Sequence, residues 1–223
     1  MTDYDDIDFC LNMLYDFVYG KSTTCYKLKY DSKTNVPLEK LKKDSNFDSS
    51  KIFKEKIEFS HNNKDKVIFK RISKSGYPSL LRIGKQNSND LNDMKMNYIL
   101  SDLAISDPLK HRYILLPIFN FDVNYEDTND AIQKYFKKGD KLTVQVFEHY
   151  FKLRPLREYI GKVNIKIICF QILYILYKIQ NAYPGFRHNK LDLDSVYVYE
   201  LNNEVVRDYK INNVSFKVPD GGI

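Results

Sequence analysis

The 223 residues carry 35 Lys and Arg against 29 Asp and Glu, a formal charge of +6, and are 43% apolar and 14% aromatic. That composition excludes wholesale disorder and supplies apolar side chains for one or two packed units with a genuine core. Three cysteines, Cys10, Cys25 and Cys169, lack paired spacing and any Cys/His cluster, which excludes a disulfide framework and a zinc module and reads as an intracellular chain.

Residues 5–19 place Ile7, Leu11, Leu14 and Val18 at three- and four-residue spacing, an amphipathic helix with aspartates crowding its first turn, where they favour the helix dipole. The acidic N-terminus, MTDYDDIDF, is unlike a secretory signal. From Gly20 to Ser50 the text is polar and lysine-rich, so residues 1–50 are expected to form an appendage of helix and linker. VIFKRI (67–72) and YPSLLRI (77–83), joined by SKSG, read as an antiparallel hairpin. Residues 89–105 read as a helix with Met96, Ile99, Leu100 and Leu103 on one face and Asn89 or Asp90 as its cap.

YILLPIFNFDV (113–123) and KLTVQVFEHY (141–150) read as two further strands, separated by a charged insert with room for a short helix. RPLREYIG suggests another short helix. Residues 164–183 form a long one, with Ile165, Ile168, Ile172, Ile175 and Ile179 as its stripe and Ile167, Phe170, Leu173 and Leu176 widening it, so burial on most sides is expected. Lys166, Gln171 and Lys178 interrupt it, and it is too short for a bilayer about 30 Å thick, so no membrane span is expected. Pro184 and Gly185 end it. The loop YPGFRHNKLDLDS follows, then VYVYEL, a turn at Asn202-Asn203, and YKINNVSFKV as the returning arm of a hairpin.

Three phrases, FQILYILYKIQNAYPGFRHN (170–189), NYILSDLAISDPLKHRYILLPIFNFDV (97–123) and YKINNVSFKVP (209–219), are similar to the serine/threonine protein kinase family of giant nucleocytoplasmic large DNA viruses, of the mimivirus type. The likeness covers roughly residues 60–223, and YPGFRHN is its specific part. It implies an α+β, protein kinase-like fold: a small antiparallel-sheet N-lobe over residues 51–148 and a partial helical C-lobe over 149–223. The C-lobe ends at KVPDGGI, before the strand that would deliver the D-F-G aspartate, so the lower helices that would cover the apolar helix are missing from the likeness. Asp220-Gly221-Gly222 is read as a turn rather than as that motif.

Within the loop, His188, Asn189 and Leu191 match the family's H-N-x-L frame, with His188 expected to be structural, its ring bonded to nearby backbone. Lys190 falls where the catalytic aspartate belongs, Asp192 where the loop lysine belongs, and Ser195 where a metal-binding asparagine belongs. In phosphoryl transfer the loop aspartate accepts or orients the hydroxyl proton, the asparagine holds a metal ion and a third-strand lysine steadies the phosphates. A charged ammonium at position 190 accepts no proton. Asp192 is the one candidate substitute base; a shift of two residues along extended chain moves its carboxylate by about 6 to 7 Å, against the about 3 to 3.5 Å of reacting atoms. Its plainer reading, with Asp194, is a turn residue near Lys190 or Arg187.

The resemblance places the cofactor-binding positions at Arg82, with Lys85 as the alternative register, Asp93 as the nearest acid on the helix, and Glu148 beside the inter-lobe hinge. The phosphate-covering loop would lie near SHNNKDK (60–66), which has no glycine to let backbone amides approach phosphates. A catalytically impaired, pseudokinase-type protein acting as a binding or scaffold module is therefore expected, with no cofactor; ATP and magnesium enter only if the chain is a divergent active serine/threonine kinase. A viral structural or assembly protein is the third expectation. The expected partner is a protein docking on the apolar helix 164–183, with nucleic acid disfavoured because lysines and aromatics follow strand and helix periodicity. The implied location is the host cytoplasm, the virus factory or the virion.

Overall fold

The computed structural model describes residues 50–63, 66–72, 78–86, 93, 96, 97, 99, 100, 103, 114, 115, 117–149, 153–199 and 206–219. The expected helix over 5–19, the linker to residue 50 and the expected turns at Asn202-Asn203 and Asp220-Gly221-Gly222 lie outside these residues, as does most of the helix expected over 89–105. The described residues divide after His149 into two compact units, residues 50–100 with 114–149 and residues 153–219 with 103.

In the first unit a short helix, α1 (Ser50–Phe53), precedes five strands: β1 (Lys56–Asn63), β2 (Lys66–Ile72), β3 (Pro78–Lys85), β4 (Pro117–Asn124) and β5 (Lys141–Glu148). They form one antiparallel sheet in the order β1-β2-β3-β5-β4. Residues 93, 96, 97, 99 and 100, after β3, are helical. Register explains the core. Phe69 faces Leu81, Leu81 faces Val146, Ile83 faces Val144 and Val144 faces Phe121, so these side chains share one face of the sheet, and all are buried. Burying each such side chain contributes about 1.5–3 kcal/mol.

β1 is not expected from sequence, since Ile57 and Phe59 are the only apolar residues in its eight; it takes the sheet edge, with a bulge between Phe59 and His61. The segment expected to be a phosphate-covering loop supplies the end of β1, with His61 and Asn62, and the start of β2 at Lys66. Between β4 and β5, α2 (Asp130–Gln133) is capped by Asn129, whose side chain accepts from the Ile132 N–H at 3.2 Å and donates to the Phe53 carbonyl at 3.0 Å. The Phe53 ring lies 6.0 Å from Phe121, and Tyr135 stacks on Phe59 at 5.0 Å. Gly139, at φ +84, turns the chain into β5 and donates its N–H to Glu126.

In the second unit the long helix, α3 (Ile165–Ala182), is capped by Asn164, which accepts from the Lys166 N–H at 3.1 Å. RPLREYIG is not an α-helix: β6 (Leu153–Pro155) pairs with β7 (Tyr197–Tyr199), and a 3-10 turn covers Leu156–Tyr159. YKINNVSFKV is a complete hairpin rather than one arm: β8 (Val206–Ile211) returns as β9 (Val214–Pro219) around Asn212-Asn213, with Asn212 at φ 53. Asparagine tolerates that left-handed backbone, which suits a two-residue turn. β7 pairs with β6 and not with this hairpin.

Tyr209 of β8 fastens the hairpin to α3. Its fully buried ring meets Phe170 at 5.0 Å and Tyr174 at 4.9 Å, both edge-on, and Gln171 donates to its hydroxyl at 3.2 Å. At the turn the Asn212 N–H donates to the Tyr177 hydroxyl at 3.1 Å, and that hydroxyl donates to the Asn212 side chain at 3.0 Å. The backbone donor holds the Tyr177 phenol below its ordinary pKa. Burial of α3 on most sides is not found. Only Tyr174 and Ile179 are buried, while Ile165 and Leu173 are 53% and 66% exposed.

Candidate functional site

The loop from Tyr183 to Val196 is held at both ends. Tyr183 closes α3 by donating to the Ile179 carbonyl at 2.7 Å, and Val196 accepts from the Leu156 N–H at 2.8 Å as the chain enters β7. Between them, Asp192 and Ser195 bond reciprocally. The Asp192 carboxylate accepts from the Asp194 N–H at 3.1 Å and the Ser195 N–H at 2.9 Å; the Ser195 hydroxyl accepts from the Asp192 N–H at 2.8 Å. This is the geometry of a capping box wound into a turn. The one hydroxyl proton of Ser195 is left for the Asp192 carbonyl at 2.9 Å or the Lys190 carbonyl at 3.2 Å.

These bonds account for what the two groups can do chemically. One carboxylate oxygen of Asp192 is spent on two backbone donors. The Ser195 oxygen carries a donor and an acceptor bond within the same turn. At the position the resemblance assigns to a metal-holding asparagine stands the Ser195 hydroxyl, bonded within its own turn. Among the described residues no group of three or more His, Cys, Asp or Glu could hold a metal.

Asp194 takes a partner from outside the loop. Its carboxylate, only 15% exposed, is gripped by Arg157 through two parallel bonds, Nε to Oδ1 at 2.6 Å and Nη2 to Oδ2 at 2.7 Å. The hydrogen bonds to Asp194, and its charge, raise the Arg157 guanidinium further above its already high pKa. Leu193 accepts from the Arg157 N–H at 3.3 Å, so with the Leu156–Val196 bond the 3-10 turn and the loop are joined at three points. His188 is exposed, and its ring meets Phe186 edge-on at 6.5 Å, where a ring bonded to backbone was expected.

In the first unit Arg82 and Lys85 have different partners. Arg82 reaches Asp93 (Nη2 to Oδ2, 3.3 Å), and Lys66 of β2 reaches the same oxygen at 3.3 Å. Lys85, three residues on and so across the pleat, pairs with Asp140 at 3.0 Å. The Lys137 N–H first, and Lys85 second, hold the Asp140 carboxyl below its ordinary range. Glu148 ends β5 opposite Ser79 and is 2% exposed, as is His149 beside it.

Sequence reading missed Gln145. It stands directly opposite Arg82 on one side and Asn120 on the other, so a polar row crosses β3, β5 and β4 on the face opposite the core. Gln145 is 3% exposed, and neither its amide nitrogen nor its oxygen meets a hydrogen-bond partner among the described residues. The available signal was a lone amide in the middle of KLTVQVFE. Burying an amide without partners is costly. Gln145→Leu is expected to stabilise the protein by about 1–3 kcal/mol, read as a higher melting temperature; an unchanged or lower one would show that the amide is satisfied in solution.

No protein-family model matches the chain. It is 27% identical to an uncharacterized protein of Acanthamoeba polyphaga mimivirus over 236 aligned residues, 93% of this chain and 29% of that protein. The chain thus spans less than a third of the length of this giant-virus relative. No helix among the described residues is long and apolar enough to cross a membrane.

Proposed function

We propose that the chain is a catalytically impaired protein kinase-like protein, related to giant-virus serine/threonine kinases, that works as a binding module. The observation that carries this reading is the reciprocal Asp192–Ser195 bonding beside Lys190. A cation occupies the position assigned to the proton acceptor, and the nearest carboxylate is engaged in holding its own turn. Moving Asp192 into a catalytic position would break bonds to two backbone donors. The order of elements supports the same reading: an antiparallel sheet with a helical segment after its third strand, then a long helix, a histidine-bearing loop and a hairpin.

The purified protein is expected to show no melting shift with magnesium-ATP and no transfer of labelled phosphate to serine or threonine substrates. Strong stabilisation by magnesium-ATP, with transfer lost in Asp192→Ala, would overturn the reading. One observation favours the runner-up, a divergent active kinase: Arg82 on the third strand does meet an acid, Asp93, on the following helical segment, as a kinase's phosphate-steadying lysine does. If transfer is measured and Lys190→Asp leaves it unchanged, the runner-up is right. The giant-virus relative supports placing the protein in the host cytoplasm, virus factory or virion. A role in assembly predicts oligomers, and a clean monomer by size exclusion with light scattering would argue against it.

A further inference from the structure

Among the described residues β8 and β9 form a sheet of two strands, so each keeps one edge without a neighbouring strand. Tyr209 stands opposite Phe216, so Val214, Phe216 and Val218 share the face that Tyr209 turns to α3. The helix covers Tyr209 fully but leaves Val214 56% and Phe216 41% exposed. Unpaired backbone beside an apolar strand face is a template for another strand. The two edges differ in charge. β8 carries Arg207, Asp208 and Lys210 among its six residues, which blunt an edge, whereas β9 carries Lys217 alone. Around Phe216 the β9 sequence, Val-Ser-Phe-Lys-Val, has the same polarity read in either direction. Two-fold association demands this of a strand, because residue i of one copy meets j of the other and j meets i.

We infer that β9 pairs antiparallel with β9 of a second copy about a two-fold axis at Phe216, joining two hairpins into one four-stranded sheet. The backbone phase agrees. The two-residue turn makes Ile211 and Val214 a hydrogen-bonded couple, alternation makes Tyr209 and Phe216 another, and the amides of Ser215 and Lys217 therefore point to the open edge. In the two-fold register Ser215 stands opposite Lys217 of the second copy, and the two exchange both backbone bonds. On the apolar face Val214 meets Val218 and Phe216 meets its counterpart, so Tyr209 and Phe216 of both copies form one row of four rings. On the other face Lys217 lies between Ser215 of the second copy and Asp208 of its own hairpin, so no like charges stand opposite each other. The adjacent registers lack this fit. One sets Lys217 against Lys217, and the other sets it against Asn213 of the turn and separates the two Phe216 rings. Both copies of α3 fall on one face of the sheet, and three strand spacings, about 14 Å, part the two Tyr209 positions, more than a helix diameter of about 10–12 Å. A six-residue ladder buries less than the about 1,200–2,000 Å² of a standard interface, so the dimer is weak, with a Kd in the micromolar range. No residue of the loop from Tyr183 to Val196 takes part, so this inference and the reading of impaired catalysis fail separately.

Sedimentation velocity of the full-length protein from about 1 to about 200 μM is expected to show the mass rising from one copy towards two. Ser215→Pro removes an N–H that points to the open edge and none that faces β8, a place where edge strands accept proline. It should leave the protein monomeric over the same range, with the β8 and β9 amides still protected from hydrogen exchange. A natural protein that stays monomeric overturns the proposal, and so does a Ser215→Pro variant that dimerises as before. The register has its own test, in protein carrying Cys10→Ser, Cys25→Ser and Cys169→Ser. Under diamide, Phe216→Cys should form an intermolecular disulfide about tenfold faster than Val206→Cys, because position 216 meets itself across the axis at a Cα separation of about 4.5 Å, within disulfide reach. Equal rates overturn the proposal. The same comparison decides the matter if Ser215→Pro loses the amide protection that marks an intact hairpin.

Discussion

Arg71→Ala is expected to destabilise the first unit by about 3–5 kcal/mol. The Arg71 side chain is 3% exposed and forms an ion pair with Glu55, itself 15% exposed, so removing the guanidinium strands a carboxylate that water barely reaches. Across the sheet Arg71 faces Ser79, and Ser79 faces Glu148, also buried, so the lost cation sits in a polar row with little solvent to replace it. The pair itself is a different matter, since desolvation offsets most of the attraction between buried charges. Arg71→Met combined with Glu55→Leu should therefore fall within about 1 kcal/mol of the natural protein. Chemical denaturation of the two single variants and the double variant measures the coupling. Near-additive losses would mean that the two side chains act independently.

Tyr209→Ala is expected to cost about 3–5 kcal/mol in the second unit, the range for removing a large buried ring. The ring is fully buried and makes both edge-on contacts that join β8 to α3. Tyr209→Phe keeps those ring contacts and gives up the Gln171 bond, so it should cost about 0.5–1.5 kcal/mol. A two-stranded hairpin is marginal in water without packing. Hydrogen exchange of β8 and β9 amides in Tyr209→Ala should accordingly approach the unprotected rate while β6 and β7 keep theirs. Retained protection in β9 would place the hairpin's anchor elsewhere.

If the loop has exchanged a proton acceptor for a cation, what remains for selection to act on is surface, and the exposed Ile165, Cys169 and Leu173 of α3 offer apolar area. Arg157 and its grip on Asp194 keep the loop in place. Arg157→Ala should raise the rate of proteolytic cleavage between Phe186 and Ser195, and an unchanged rate would show the Asp192–Ser195 turn to be sufficient by itself.

Periodicity was enough where an element's burial is written along the chain. The β-rich runs VIFKRI, YPSLLRI and KLTVQVFE specify β2, β3 and β5 to within a few residues, and the run of isoleucines specifies α3. The order of charges around the loop, with Lys190 and Asp192 in their positions, is likewise a property of the sequence. Elements stabilised from far away left no such mark. β6 is three residues whose pairing partner, β7, comes more than forty residues later, so nothing local identifies it. β1 hides because it carries only two apolar residues, Ile57 and Phe59, and is held by its pairing with β2 at the sheet edge. The Asn-Asn turn at residues 212 and 213 is held by the bonds Asn212 makes with Tyr177 on α3, a partner more than thirty residues earlier that nothing local identifies. Tertiary structure alone also brought Arg82 rather than Lys85 to Asp93, put Gln145 between Arg82 and Asn120, and spent Asp192 on its own backbone. A side chain's partners are fixed by strand register and turn geometry, which composition and spacing do not contain.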